Sequence, residues 1–142
     1  MAFSEPVPGL VINYSFLWPN EADSGQDEGI KDRPCAVVLS TKNEDQDKII
    51  LVVPITHTTP HDSSSAIEIP RLTKKRLGLD EQPSWIITNC LNLFIWPGPD
   101  IRPLPSGDIT FGPLPKKLTE SVIQQVIKNH AEKKSRTTER DQ

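Results

Sequence analysis

The sequence predicts a mainly β protein with some α content: a small, strongly bent antiparallel sheet or barrel, with one C-terminal helix packed on it. Three observations lead there. Fourteen prolines against seven glycines punctuate the 142 residues, and proline interrupts helices and central strands, which favours short strands joined by shaped loops. Between the prolines lie short runs rich in β-branched and aromatic residues, the composition of strands. Only LTESVIQQVIKNHAEKK (118–134) repeats apolar residues at helical spacing.

Taken in order, Pro8-Gly9 is a turn signal and LVINYSFLW (10–18) reads as the first strand. Pro19 to Asp32 is polar and acidic, with Gly25 and Gly29, and reads as a long mobile loop. CAVVLS (35–40) is apolar on both faces, as a buried strand should be. TKNEDQD (41–47) then makes a hairpin-like connection to KIILVVPIT (48–56), a second buried strand. PHDSSS (60–65) is a loop and AIEIP (66–70) alternates like a half-exposed strand. RLTKKRLGL (71–79) fits either a short helix or a charged loop.

SWIITNCLNLFIW (84–96) is long and apolar on both faces, hence central or strongly bent. PGPDIRPLP (97–105) carries four prolines in nine residues and must be extended and rich in turns, and DITFG (108–112) offers a last short strand. In the terminal helix Leu118, Val122, Ile123, Val126, Ile127 and His130 form one stripe, where His130 reads as packed or capping. Thr119 is the expected N-cap; Glu120 in the first turn, and Lys133 and Lys134 near the end, complement the macrodipole. SRTTERDQ (135–142) reads as a frayed, disordered tail, leaving residues 1–134 as a single domain.

The length suits one domain with a real core. Net charge is −3, unevenly spread: residues 1–70 hold four Lys or Arg against eleven Asp or Glu, and residues 71–142 hold twelve against eight. An acidic chain is poorly suited to coating nucleic acid nonspecifically, although a local basic face leaves room for a short single strand or an acidic partner. No apolar run approaches the roughly 18–20 residues that span a bilayer. MAFSEPVPGL lacks the basic and apolar regions of a secretion signal, so the expectation is a cytoplasmic protein without membrane contact. Cys35 and Cys90 lie in separate strand-like runs and read as two buried thiols.

Several chemistries are set aside. There is no glycine-rich phosphate loop, no Cys-x-x-Cys and no Gly-x-Ser-x-Gly. His57 and His61 are four apart, but Pro60 removes the helix that would turn both rings to one face, so no metal or cofactor is expected. What remains is a group of polar residues at strand ends. Arg33 precedes one buried strand, and Thr56-His57-Thr58-Thr59 follow its neighbour. If those two strands pair antiparallel, arginine, hydroxyl and imidazole converge. Such a trio suits a phosphodiester: guanidinium offers a charged fork of donors, threonine a neutral hydrogen bond, and histidine a group that moves a proton near neutrality. The competing reading pairs Arg33 with an acid of the 20–32 loop and leaves Thr56 to Thr59 as a turn cap.

At these same residues the chain resembles the MazF/PemK/Kid family of toxins from type II toxin–antitoxin modules. Pro8-Gly9 with its following strand resembles the family's opening. KDRPCAVVLS (31–40) is similar to its R-R-P-A-V-V-L-S signature and ILVVPITHTTP (50–60) to its V-V-P-I-T-S motif. SWIITNCLNLF (84–94) stands where the family usually carries D-Q-x-R. Together the segments span residues 8 to 127 in matching order and spacing. The resemblance implies a small SH3-like barrel, a homodimer, an acidic cognate antitoxin and cleavage of single-stranded RNA without metal. In that reaction the 2′-hydroxyl attacks the neighbouring phosphate and leaves a 2′,3′-cyclic phosphate. It also implies that Arg33 stabilises charge on the phosphate, with a further option as proton donor, and that Thr56 holds a phosphate oxygen.

The chain departs from the family where members such as Kid carry an arginine and an aspartate, since Ile87 and Asn89 stand there. The arginine of D-Q-x-R falls at Asn92. Asparagine orients substrate but accepts no proton, so the missing base is expected at His57. Asn89, Asn92, Lys31 and Thr58 join the expected RNA-binding set, with Trp96 as a stacking platform and Arg102 as a phosphate contact. Against these last two stands a reading of 95–103 as a rigid loop plugged by Trp96. Two other functions fit the same scaffold: a CcdB-like inhibitor that binds a protein such as DNA gyrase, and a catalytically dead RNA-binding module.

Overall fold

The two fully apolar runs form the central hairpin of the sheet. In the computed structural model, which describes residues 5–25, 29 and 31–140, β2 (Arg33–Lys42) and β3 (Lys48–Thr56) pair antiparallel from Cys35↔Pro54 to Lys42↔Lys48. The register slips between Val37 and Leu39. A bulge of this kind bends and twists a strand. Val37 and Val38 stay buried, while Leu39 turns outward.

β1 (Leu10–Tyr14) pairs with the other edge of β2, and β7 (Thr110–Pro113) pairs with β1. The free side of β3 is shared. Its first half meets β6 (Cys90–Ile95), and its last two residues meet β5 (Trp85–Ile87), which in turn pairs with β4 (Ala66–Glu68). The long apolar run 84–96 is therefore bent, breaking into β5 and β6 at Thr88-Asn89. The Thr88 hydroxyl holds that corner by donating to Gln125 and accepting from Asn129 Nδ2 at 3.0 Å. Both partners belong to α3 (Lys116–Ala131), so the terminal helix braces the bend.

Both sheet faces are covered, which explains why β2 and β3 lack apolar alternation. One core holds Val11, Ala36, Val38, Val53 and Ile86 beneath α3 and α2 (Arg71–Leu77), which contribute Val122 and Leu77. The other is aromatic: Tyr14 stacks on Phe94 with centroids 4.8 Å apart, beside Phe16, Trp18, Trp96 and Ile101. The segment 71–79 resolves as helix α2 closed by Gly78 (φ 74), which hands the chain directly into Leu79 and Asp80. Helix α1 (Pro19–Asp23) interrupts the stretch read as a loop, its buried Glu21 accepting from the Trp18 amide at 2.9 Å. Residues 26–28 and 30 of that stretch lie outside the described residues. Thr119 is not the N-cap of α3. The helix begins at Lys116 after Pro115, and the Thr119 hydroxyl bonds back to the Pro115 carbonyl at 3.1 Å. His130 at its far end is exposed.

Two corrections concern the outline of the fold. The eight-stranded sheet does not close into a barrel. The outer edge of β7 faces α2 rather than another strand, and a β-carbon at Gly112 would lie 3.4 Å from Leu77 Cδ2. Pro113 also withholds a donor there.

Nor is the C-terminus frayed. Arg136–Glu139 forms β8, which pairs in parallel with β6 from Cys90↔Arg136 to Leu93↔Glu139, so the domain runs past residue 134. Arg140 anchors it. The buried guanidinium donates to Asn92 Oδ1 (2.9 Å) and the Ser15 carbonyl (2.6 Å), pairs with Asp100 (2.9 Å) and covers the Tyr14 ring at 5.5 Å. Residues 141–142 lie outside the described residues. Both cysteines are free thiols, Cys35 buried and Cys90 partly so. Among the described residues no helix is long and apolar enough to cross a membrane.

Candidate functional site

Continuing the β2–β3 register two places beyond Cys35↔Pro54 sets Arg33 opposite Thr56. Both residues line a cavity of about 210 Å³ at that end of the sheet, together with Lys31, Asp32, Pro34, Ile55, His57, Thr58, Leu79, Asp80 and Ser84. The convergence expected from antiparallel pairing of the two strands is therefore present. A second cavity of about 310 Å³ shares Lys31, Arg33, Thr56 and Thr58, and adds Trp18, Thr59, Pro60, His61 and Ile87.

Arg33 is the central group. Its guanidinium lies 5.1 Å above the Trp18 ring, and its buried Nε has no hydrogen-bond partner. Among the described residues no carboxylate pairs with it; Asp32 instead turns to Arg102, 3.7 Å away. A buried donor without an acceptor costs about 1–3 kcal/mol, and the Arg33 side chain carries that cost. The Thr56 hydroxyl accepts from the Thr58 amide at 3.2 Å, and among the described residues nothing accepts its hydrogen. A phosphate oxygen between the two would find one charged and one neutral donor.

His57 is placed differently from expectation. Nε2 lies 2.7 Å from Asp80 Oδ2, and Nδ1 lies 2.9 Å from the Pro83 carbonyl and 3.1 Å from Ser84 Oγ. Asp80 is an acceptor only, so Nε2 donates to it, while Nδ1 either donates to the Pro83 carbonyl or accepts from the Ser84 hydroxyl, according to the tautomer. Both ring nitrogens are engaged by protein groups, which makes His57 a hydrogen-bond partner of Asp80.

Asp80 is held from the other side by buried Lys74, whose Nζ is 3.1 Å from Oδ1 and also donates to the Gln82 carbonyl. Partial desolvation raises the Asp80 carboxyl. Hydrogen bonds from Lys74 and His57, with their charges, outweigh it and hold the group below its ordinary value. The sequence reading missed Asp80, Lys74 and Ser84. A lone acid after a short helix carries no motif; only the Gly78 turn brings it back to Lys74 and across to His57.

Lys31 and Thr58 line both cavities. The remaining candidates lie elsewhere. Asn92 is fully buried: its amide donates to the Leu17 carbonyl (2.8 Å), while Oδ1 accepts from the Leu17 amide and Arg140 (2.9 Å each). Its capacity is spent on the fold, so it is not a substrate contact. Asn89 sits at the β5–β6 corner, its carbonyl bonded to the Arg136 amide, and lines neither cavity. Trp96 packs against Phe94 in the aromatic core, centroids 6.3 Å apart, which matches the plug rather than a stacking platform. Arg102 donates to the Pro99 carbonyl at 2.5 Å and pairs with Asp32, so it touches the site through a lining residue rather than lining it.

No protein-family model matches the chain, and none of the curated proteins matches it in sequence.

Proposed function

We propose that this cleft binds the backbone of single-stranded RNA and cleaves it by attack of the 2′-hydroxyl on the adjacent phosphate, leaving a 2′,3′-cyclic phosphate. The observation that carries the reading is the convergence on one cavity of Arg33, whose guanidinium pairs with no carboxylate among the described residues, and Thr56, whose hydroxyl hydrogen no described residue accepts. Arg33 stabilises the charge that grows on the phosphoryl oxygens, and its stack on the Trp18 ring holds it in place before substrate arrives. Thr56 holds one of those oxygens. The connected second cavity, walled by Trp18, Ile87 and Pro60, offers an apolar surface for the neighbouring nucleotide.

The similarity of KDRPCAVVLS and ILVVPITHTTP to the MazF/PemK/Kid signatures supports the same chemistry. It extends the proposal to a growth-inhibiting toxin, acting as a homodimer and neutralised by an acidic antitoxin. The test is incubation of purified protein with a long single-stranded RNA in EDTA, with mapping of new ends. Discrete cuts bearing cyclic phosphate, lost in Arg33→Ala, are expected. Intact RNA together with inhibited supercoiling by gyrase would replace this function with the CcdB-like one.

A further inference from the structure

We infer that Asp80 takes the proton from the attacking 2′-hydroxyl, with His57 and Lys74 as the residues that position it. This rests on the RNA-cleavage reading and supplies the base that reading lacks. Among the described residues Asp80 is the carboxylate lining the cavity besides Asp32, and Asp32 is turned to Arg102.

Its two oxygens are not equivalent. Oδ1 accepts from Lys74 Nζ and from the Gln82 amide, both at 3.1 Å, which fills its two lone pairs. Oδ2 accepts from His57 Nε2 alone, at 2.7 Å, and the side chain is 56% exposed. One lone pair of Oδ2 is thus open to a further donor. Lys74 and His57 also keep the carboxyl ionised, with desolvation opposing them. The titratable and charged groups around it are Lys74 from α2 and His57 after β3, both bonded to it, Lys31, Asp32 and Arg33 in the same cavity, and Glu68, Arg71, Lys75 and Glu81 around a neighbouring cavity that Asp80 also lines.

The step balances without an added reagent. The O2′–P bond forms as the P–O5′ bond breaks, and the 2′-hydroxyl proton passes to Asp80 Oδ2. The departing 5′-oxygen takes a proton from water, and Asp80 returns its proton to the hydroxide so formed. Arg33 carries the phosphoryl charge throughout.

The test compares cleavage of RNA with binding of a DNA oligonucleotide of the same sequence, which lacks the 2′-hydroxyl. Asp80→Asn, which keeps shape but not charge, is expected to bind the DNA as the natural protein does and to cleave RNA about 100-fold more slowly or worse. In Asp80→Ala, added formate is expected to restore cleavage about tenfold, a response that a structural role would not give. The natural protein is expected to lose activity as acid protonates the carboxylate; that limb is read on unmodified protein and does not depend on a variant folding. Cleavage by Asp80→Asn within about threefold of the natural rate, or a pH profile without an acid limb, overturns the assignment. If Arg33→Ala is inactive in that same case, the RNA-cleavage reading survives. RNA left intact by the natural protein overturns both.

Discussion

Arg140 Nη1 lies 2.9 Å from Asn92 Oδ1, joining the last strand of the sheet to a fully buried amide beside its centre. Because Arg140 also pairs with Asp100, its removal breaks a buried ion pair. Loss of one partner of a buried pair costs about 3–5 kcal/mol. Arg140→Ala is expected to fall in that range by urea denaturation, with β8 released from β6. A loss below about 1 kcal/mol would show that the pair is screened like a surface one.

Asn92→Ala tests whether that residue serves the fold. The Leu17 amide and carbonyl would each lose a buried partner, for about 2–3 kcal/mol in total. RNA affinity per folded molecule should not change. A variant that keeps its stability but binds RNA weakly would return Asn92 to the binding surface.

Arg33→Ala has the opposite signature. The side chain has no ion pair among the described residues and leaves a donor unsatisfied, so its removal should cost little stability. RNA cleavage should fall about 100- to 1,000-fold, the usual cost of one preorganised donor to a transition-state anion. Thermal melting alongside the cleavage assay checks both halves.

Asp80 makes stability depend on pH with a definite sign. Its folded-state ionisation is lowered, so its stabilising contribution is complete above the unfolded-state value and is lost as pH falls through the folded one. The stability advantage of the natural protein over Asp80→Asn is therefore expected at neutral pH and should vanish in acid below the carboxylate range. The carboxylate is half exposed, so solvent screens the advantage to about 1 kcal/mol or less. Denaturation curves of the two proteins across acid pH measure it.

The thiols should be quiet. Burial pushes Cys35 well above the ordinary thiol value, against the opposing charges of Arg33 and Arg140; burial likewise raises Cys90, against Arg136. The thiolate is the reactive form. Native protein is expected to react slowly with a thiol reagent, Cys90 before Cys35, and both quickly in denaturant. Rapid labelling of Cys35 in native protein would contradict its place between β1 and β3.

The parts of the fold legible in the sequence are those where composition alone decides. CAVVLS and KIILVVPIT are apolar on both faces, so they could only be covered strands, and their antiparallel pairing through the short 41–47 connection sets Arg33 opposite Thr56. The stripe in 118–134 marked α3. RTTE has no such signature: β8 exists because β6 offers it an edge and Arg140 finds acceptors from Ser15, Asn92 and Asp100, residues distant in sequence. Asn92 misled for the same reason, since its partners are visible only once β1 and β6 are folded. Asp80 depends on a turn, a helix and a second strand end at once. The open sheet was hidden because closure depends on what meets the edge of β7, and that is a helix.

The position of β8 bears on association as well as stability. By lying along β6 it occupies a row of backbone donors and acceptors that would otherwise template another chain. Loss of the Arg140 anchor should thus do more than soften the domain: it would uncover the edge of LNLFI, a low-charge, β-prone segment of the kind that stacks into ordered aggregates. The arginine at the end of the last strand acts as a latch against self-assembly.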